Sequence, residues 1–231
     1  MEDMERYGDY DEIEEGAEGG KNKTAVWLKV LVIFLCFAVV GLLLFRVILF
    51  NYYPKSIKNI YFNDTLTEYY NAVGGDMNVY TQTLRAPYDD PDVCSFFCDN
   101  LIVVREAGQL QVSVRYNSSI FSTIEEKYGV ALDPESDDLF SFRLERVPFE
   151  DGASANEVGR LDYVTTDTCL MYTYYKLVFD DVEFLGDKDW IRLEITLNGV
   201  EGASPYRVLI YENTDEHNKF DEYKLSGKEK P

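Results

Sequence analysis

Acidic side chains are the commonest groups in this chain that could do chemistry, with 42 Asp and Glu against 22 Lys and Arg. Oxygen ligands at alternate positions of a loop are what calcium prefers in proteins. Two acidic segments fit that pattern, and their candidate ligands are Asp89, Asp90, Asp92, Asp133, Glu135 and Asp137. Neither segment has the glycine and closing glutamate of an EF-hand loop, so a solvated acidic turn explains them as well. We therefore expect no cofactor, and calcium is the one candidate.

Cysteines are the second group that could do chemistry. Cys36 lies in an apolar run and is best explained as a small packing residue, which leaves Cys94, Cys98 and Cys169. Cys94 and Cys98 would lie about 13 Å apart along a strand, too far to bridge, but within reach in a turn. A disulfide between two of these three therefore stands beside the alternative of three free thiols. A metal site of three thiolates would lack a fourth ligand.

No catalytic constellation is visible. The single histidine, His217, lies in a polar stretch near the C-terminus, where a catalytic base or zinc ligand would not be held rigidly. The G-x-S-x-G, H-E-x-x-H, Walker A and G-x-G-x-x-G patterns are missing, which excludes the commonest hydrolase, zinc-protease and nucleotide sites. Glycoside hydrolysis needs a pair of carboxylates. The first 20 residues hold nine of the 42 acidic side chains, and no pair can be singled out as catalytic among the other 33. We therefore expect a protein that is not an enzyme.

A long apolar run predicts a membrane-spanning helix over residues 25–50. Residues 30–45 carry no charge, and the two basic residues that bracket them would lie roughly 25 Å apart along a helix, close to the hydrocarbon thickness of a bilayer. Long basic side chains and aromatic rings at the ends of such a run place their polar groups at the membrane surfaces. The predicted interface residues are Trp27, Lys29, Arg46, Tyr52 and Tyr53.

The flanking segments predict how the helix is used. Residues 45–53 offer only bulky side chains where a signal peptide would have small ones, so the helix should stay in place as a signal anchor. Residues 1–24 are acidic and poor in aliphatic side chains, which predicts a disordered tail. The numbers of basic residues on the two sides of the helix are nearly equal, so they say little about its orientation in the membrane. We expect the tail in the cytoplasm and the rest outside the cell membrane, because tail, anchor and β-rich domain form the usual plan of a tethered export module.

Period-2 alternation dominates residues 77–212 and predicts a mainly β domain. Residues 51–76 should form a connector with a short helix capped by Asp64, and residues 213–231 a polar C-terminal tail. A further helix is expected over residues 119–128. The eight predicted strands are residues 77–84, 101–105, 110–116, 140–144, 161–166, 171–179, 190–198 and 206–211.

Strands joined by polar turns, with few helices between them, favour an antiparallel β-sandwich over a parallel sheet. We expect an immunoglobulin-like sandwich, although the Cys…Trp…Cys spacing of antibody domains is missing.

Three functional hypotheses follow, in decreasing order of support. The first is a non-catalytic, membrane-anchored module that displays a binding or scaffolding domain for a protein or a cell-envelope polymer. The second is a transmembrane sensor that couples this domain to the acidic tail, and the third is an acidic-site hydrolase of an envelope polymer. Nucleic acid is excluded as a partner, because the net charge of −20 would repel its phosphates.

Overall fold

The computed structural model describes residues 18–87, 96–136, 138–147, 155–169, 171–185, 189–213 and 220–225. The chain divides into two compact units, residues 1–52 and residues 53–231. The expected calcium ligands Asp89, Asp90, Asp92 and Asp137, together with Cys94 and His217, lie outside the described residues.

The first unit contains one long helix, α1, over Glu18–Asn51. Its segment Val26–Ile48 is apolar over 23 residues, and none of that segment is buried. At 1.5 Å per residue this segment extends roughly 34 Å, compared with a hydrocarbon core of about 30 Å. By length and composition it is the one helix in the described part of the chain that could cross a membrane. The predicted helix over residues 25–50 is thus present.

The second unit is built mainly of strands. Its helices are α2 at Lys55–Lys58, α3 at Asp64–Ala72 and α4 at Ile120–Tyr128, with a 3-10 turn at Arg105–Ala107. The strands β1 to β10 are, in chain order, Met77–Pro87, Phe97–Val104, Gln109–Asn117, Phe140–Arg146, Asn156–Glu157, Arg160–Cys169, Tyr172–Asp180, Asp189–Leu197, Tyr206–Asn213 and Asp221–Leu225.

These strands form two antiparallel sheets. One has six strands in the order β10-β1-β2-β3-β7-β6, and the other has four in the order β5-β4-β8-β9. The predicted mainly β, antiparallel sandwich behind an N-terminal helix is confirmed. Its immunoglobulin-like character is not confirmed: β2 and β3 are neighbours in one sheet, whereas the second and third strands of an immunoglobulin constant domain lie in different sheets.

The main core lies between the two sheets and follows from the alternation. Leu110, Val112 and Val114 of β3 point inward from the larger sheet and are fully buried. Leu193 and Ile195 of β8 point inward from the smaller one and belong to the same hydrophobic cluster. Complete burial of an aliphatic side chain of this size contributes about 1.5–3 kcal/mol. The inward residues therefore hold the sheets together, and the outward residues are available for other contacts.

Two of the helices that the sequence predicts are present, with starts shifted by one residue. α3 begins at Asp64, and Asn63, one residue before the expected cap, accepts a hydrogen bond from the Leu66 amide at 3.0 Å. α4 ends at Tyr128, and the next residue, Gly129, caps it in the left-handed conformation with φ of 68°. The predicted helix boundaries are correct to within one residue.

Two strands lie outside the predicted set. β10 falls in the segment that we expected to be a polar tail, and it pairs with β1 from Met77↔Leu225 to Thr81↔Asp221. Only Leu225 of β10 is buried, so the strand gives almost no hydrophobic signal. β5 has two residues, too few for any alternation to be visible.

Candidate functional site

The outer face of the six-stranded sheet carries polar side chains that are buried. Gln109, Gln111 and Ser113 of β3 alternate with its inward residues, and Lys176 and Asp180 do the same on β7. None of these five side chains is more than 1% exposed. An uncovered sheet face would leave such groups in water, so another part of the chain must cover them. That part is the segment of residues 53–63, which we call the strap.

The strap is held by side chains of the sheet that bind its backbone. The Gln111 amide accepts from Tyr61 N at 2.9 Å and donates to Tyr61 O at 2.7 Å. Ser113 Oγ donates to Ile57 O at 3.0 Å, and Lys176 Nζ donates to Asn59 O at 2.9 Å. Side chains of the sheet thus satisfy peptide groups at the end of α2 and in the residues that follow it, which have no partners in regular secondary structure.

One end of the strap is fixed by a network around a buried carboxylate. Asn63 Nδ2 and Gln109 Nε2 each donate to Asp180, both at 2.7–2.8 Å, and Thr65 Oγ1 donates to it at 3.0 Å. Asn63 Nδ2 also lies 2.7 Å from Asp162 Oδ2. A buried carboxylate is tolerated when its oxygens accept several hydrogen bonds, and this one accepts three from side chains.

The other end of the strap is fixed by aromatic and ionic contacts around Arg115. Arg115 Nε lies 3.0 Å from Asp99 Oδ2, and its guanidinium lies 5.4 Å from the centre of the Tyr53 ring. The Tyr53 hydroxyl donates to Asp99, and its ring meets Tyr174 edge-on at 4.8 Å. Burial raises the pKa of Tyr53, and the adjacent Asp99 carboxylate raises it further. Tyr53 is therefore a neutral hydrogen-bond donor at all ordinary pH values.

Lys176 is the one basic group buried under the middle of the strap. Its side chain is fully buried, and it forms no ion pair within the described part of the chain. Burial lowers the pKa of Lys176 from its ordinary 10.5 to about 7. The strap therefore rests on a group that exchanges a proton near neutral pH.

A cleft of about 370 Å³ lies on the same face beside the strap. One wall belongs to the strap and consists of Lys58, Asn59, Ile60 and Phe62. The floor and opposite side come from three strands, through Thr81 and Thr83 of β1, Asn100 and Ile102 of β2, and Tyr223 and Leu225 of β10. We refer to these ten residues as the cleft.

A β-bulge positions the floor of the cleft. The pairing of β2 with β3 shifts between Cys98 and Asn100, which leaves Asp99 as the extra residue. Because a bulge reverses the alternation that follows it, Cys98 points into the core whereas Asn100 points to the outer face. Asn100 then donates to Lys58 O at 3.2 Å, which ties the floor to the wall.

The composition of the cleft differs from that of the whole chain. Its ten residues include one cation, Lys58, and no Asp, Glu, Cys or His. These residues supply hydroxyl, amide and ammonium groups above an apolar floor. None of the ten is a carboxylate or an imidazole, the groups that serve as acid, base or nucleophile in glycosidases and in most serine hydrolases. The arrangement can therefore bind a small polar ligand, and it gives no support to hydrolysis at this site.

The outer face of the four-stranded sheet carries charges that neutralise one another. Arg143 lies 2.6 Å from Glu194 and 2.9 Å from Glu145. Arg192 lies 2.7 Å from Glu145, and Arg207 lies 2.7 Å from Glu194. Both glutamates are largely buried beneath the arginines. The polar side of the predicted strands over residues 140–144 and 190–198 is thus an ion-pair network.

The predicted calcium ligands that the structure describes are not assembled into a site. Asp133 and Glu135 are exposed in the turn after α4, where Asp133 Oδ1 accepts from the Glu135 amide at 3.0 Å. In the described part of the chain no three Asp, Glu, Cys or His side chains come close enough to share a metal ion. Since Asp89, Asp90, Asp92 and Asp137 lie outside that part, calcium binding stays a prediction.

The cysteines are separated in the fold. Cys98 is buried in the core as a free thiol, and Cys169 is a half-buried free thiol at the end of β6. Burial raises the pKa of Cys98 to about 12, which makes it an unreactive packing residue. A role for Cys94 in a disulfide stays a prediction, because that residue lies outside the described ranges.

The predicted membrane-interface residues fall in both units. Trp27, Lys29 and Arg46 are exposed on α1, and Tyr52 is exposed just beyond its end. Tyr53 belongs to the second unit, where Asp99 and Tyr174 hold it. The exposure of the four residues other than Tyr53 is compatible with a position at a membrane surface. That position stays a prediction for all five residues.

The strap and the cleft were not predicted from the sequence. The alternation of polar and apolar residues in β3 was visible, but it indicated a strand with one face in water. The bulge at Asp99 and the pairing of β10 bring the cleft residues together, and neither leaves a local signal.

No family model matches the chain, and no curated protein or solved structure matches it either, so the side chains described above are the basis for assigning a function.

Proposed function

We propose that the chain is a single-pass membrane-anchored protein whose β domain binds a component of the cell envelope in the cleft. The cleft is the single observation on which the proposal depends, since it joins polar donors and acceptors to an apolar floor on an otherwise strongly acidic protein. Small-molecule and polymer sites commonly have this composition. The envelope partner is a polymer or a protein, and binding involves no catalysis.

The apolar helix supports the anchoring part of the proposal. Val26–Ile48 is long enough to span the hydrocarbon core, and all of it is exposed on α1. A helix that is apolar on every side needs either a protein core or lipid around it. We propose lipid, with the acidic tail in the cytoplasm and residues 53–231 outside the cell membrane.

Co-sedimentation tests the binding role. Full-length protein in nanodiscs is mixed with the insoluble polymer fraction of the host envelope, and the bound fraction is measured. Thr83→Trp, which fills the cleft with a large side chain, should abolish binding. Thr166→Trp places the same side chain at another exposed threonine, on β6, and should have no effect. Equal binding by the two variants would overturn the role of the cleft.

A sensor is the second candidate, and the strap is the observation that favours it. The strap begins at Tyr53, two residues after α1 ends at Asn51, and it also forms one wall of the cleft. A ligand that contacts Lys58 or Phe62 would therefore change the stability of a segment adjacent in sequence to the helix. The sensor hypothesis predicts a cytoplasmic partner that deletion of residues 2–20 removes, whereas a binding module without signalling predicts no change.

A further inference from the structure

The charge of the cleft restricts the ligands that it can accept. Among the residues that the structure describes, no Asp or Glu belongs to the cleft, although Asp221 of β10 lies opposite Thr81, and Lys58 forms no ion pair there. The ten cleft residues thus offer an ammonium group to an anionic ligand and no carboxylate to a cationic one. A single ammonium matches a ligand with one negative charge better than a phosphate monoester, which carries about −1.5 to −2 at neutral pH.

The net charge of −20 does not prevent an anion from binding at Lys58. Charges further away than about 8 Å are largely screened at physiological salt. The charge that a bound anion meets is therefore set by the cleft and its immediate rim.

The size and lining of the cleft indicate the rest of the ligand. A volume of 370 Å³ equals that of about a dozen water molecules at ~30 Å³ each, which suits a single six-membered sugar ring. Ile102 and Leu225 are buried and form an apolar floor, and Tyr223 adds an aromatic ring at one side. Thr81, Thr83 and Asn100 supply hydroxyl and amide groups. A pyranose has the matching arrangement, with apolar C–H faces and a rim of hydroxyl groups.

We propose that the cleft binds a carboxylate-bearing sugar unit, a uronic acid pyranose, of an envelope polymer. Lys58 would bind the carboxylate, Thr81, Thr83 and Asn100 the ring hydroxyls, and Ile102 and Tyr223 the apolar ring faces. This ligand class rests on the proposed function, because it assumes that the cleft is the binding site.

Binding of small glycosides tests the ligand class directly. Full-length protein in nanodiscs of zwitterionic lipid is titrated with methyl glucuronide, methyl glucoside and acetate, and the dissociation constants are measured by calorimetry. Methyl glucuronide should bind at least tenfold tighter than methyl glucoside and than acetate, because it alone uses both the ring contacts and the ammonium. Equal affinities for methyl glucuronide and acetate would overturn the proposal, since the ring would then contribute nothing.

Variants separate the two groups of contacts. Lys58→Met should weaken methyl glucuronide about tenfold and leave methyl glucoside unchanged, whereas Thr83→Val should weaken both. Lys55→Met is the matched control, because Lys55 belongs to the same short helix and does not line the cleft. If Lys55→Met weakens methyl glucuronide as much as Lys58→Met does, the attraction is a general effect of charge and the proposal fails.

Competition distinguishes the failure of this proposal from the failure of the proposed function. If Thr83→Trp abolishes sedimentation with the envelope polymer but excess methyl glucuronide does not compete, the cleft binds a different ligand and the sugar class is overturned. If methyl glucuronide binds but Thr83→Trp sediments like the unmodified protein, the sugar class stands and the envelope-binding role is overturned.

Discussion

Two ionisable groups are buried under the strap, Asp180 and Lys176, and they differ in how many hydrogen bonds their surroundings provide. The Asp180 carboxylate accepts three side-chain hydrogen bonds, from Asn63, Gln109 and Thr65. The Lys176 ammonium donates to one backbone carbonyl, that of Asn59, and has no nearby carboxylate in an ion pair. Desolvation is therefore compensated at Asp180 and not at Lys176, which explains why the pKa of Lys176 falls to about 7.

Lys176 should make the stability of the β domain depend on pH. The pKa of Lys176 is lower in the folded than in the unfolded chain, so protonation favours the unfolded chain. The contribution of the neutral amine to the free energy of unfolding is therefore complete above pH 10.5 and is lost as the pH falls to about 7. At ~1.4 kcal/mol per unit, the free energy of unfolding should rise by about 1–2 kcal/mol from pH 7 to pH 8.5. Lys176→Met should remove that rise, and Lys127→Met, at an exposed lysine, should retain it.

The measurement is denaturant unfolding of the full chain in non-ionic detergent, followed by Trp190 fluorescence in a Trp27→Phe background. The range stops at pH 8.5 because Cys98 acts in the opposite direction. The pKa of its thiol is raised from 9.0 to about 12, so ionisation favours the unfolded chain. The contribution of the neutral thiol to the free energy of unfolding is therefore present below pH 9 and is lost above it. A Lys176→Met variant with the same slope as the unmodified protein would contradict the assignment.

Two glycines with nearly the same backbone conformation should differ in their tolerance of alanine. Gly129 has φ of +68°, and a Cβ there would meet nothing within 4 Å. Gly159 has φ of +72°, and a Cβ there would lie 2.6 Å from Val182 Cγ2 and 3.0 Å from Asp180 O. Gly129→Ala should cost the left-handed penalty alone, ~1–2 kcal/mol. Gly159→Ala should cost about 1–3 kcal/mol more, because the buried Val182 must also move.

The same unfolding experiment measures both glycine variants. Equal losses would show that the neighbourhood of Gly159 adjusts without cost, which would contradict its close packing against Asp180 and Val182.

At the scale of elements, the strap shows why part of the fold could be predicted and part could not. The strands were predictable because inward residues such as Leu193 and Ile195 alternate with polar ones. Gln109, Gln111 and Ser113 alternate in the same way, and by that rule they predict a face in water. The strap meets this face through its backbone amide and carbonyl groups, which leave no pattern in the sequence, so the burial of this face becomes visible only in the folded chain.

The candidate site was less predictable than the strands. Tyr223 and Leu225 reach the cleft only because β10 pairs with β1, more than 130 residues earlier in the chain. Asn100 reaches it only because of the bulge at Asp99. Both are non-local pairings, whereas alternation along a chain reflects local periodicity alone. The acidic loops and the cysteines gave local signals, and none of their described residues lines the cleft.

The strap should depend on the backbone hydrogen bonds from Gln111. Gln111→Met keeps a similar volume and removes both bonds to Tyr61, which would leave two backbone groups without partners. We expect a loss of about 1–3 kcal/mol in the free energy of unfolding, together with faster hydrogen exchange at Tyr61. Gln82→Met on β1 is the control, because Gln82 is half-buried and pairs with the inward Leu101, on the opposite face of the sheet from the strap. Slow exchange at Tyr61 in Gln111→Met would show that other contacts hold the strap.

At the scale of the whole molecule, two units with different requirements are joined within a few residues. The first unit exposes an apolar helix that water does not stabilise, and the second buries its apolar residues between two sheets. Residues 53–231 hold 33 Asp and Glu against 17 Lys and Arg, and this acidic balance favours solubility of the second unit and contributes nothing to insertion of the first. The helix should therefore decide where the protein is found, and the β domain what it binds.

Removal of the helix tests this division of roles. Full-length protein should remain with the membrane fraction after alkaline carbonate and should dissolve only in detergent, because burial of 23 mainly apolar residues in lipid is effectively irreversible. A chain that begins at Tyr53 should be soluble, since the second unit has its own core.

An impermeant protease added to intact cells should degrade the β domain of the full-length protein and spare the acidic tail. Full-length protein that dissolves without detergent would contradict the anchor, and a protected β domain would reverse the proposed orientation.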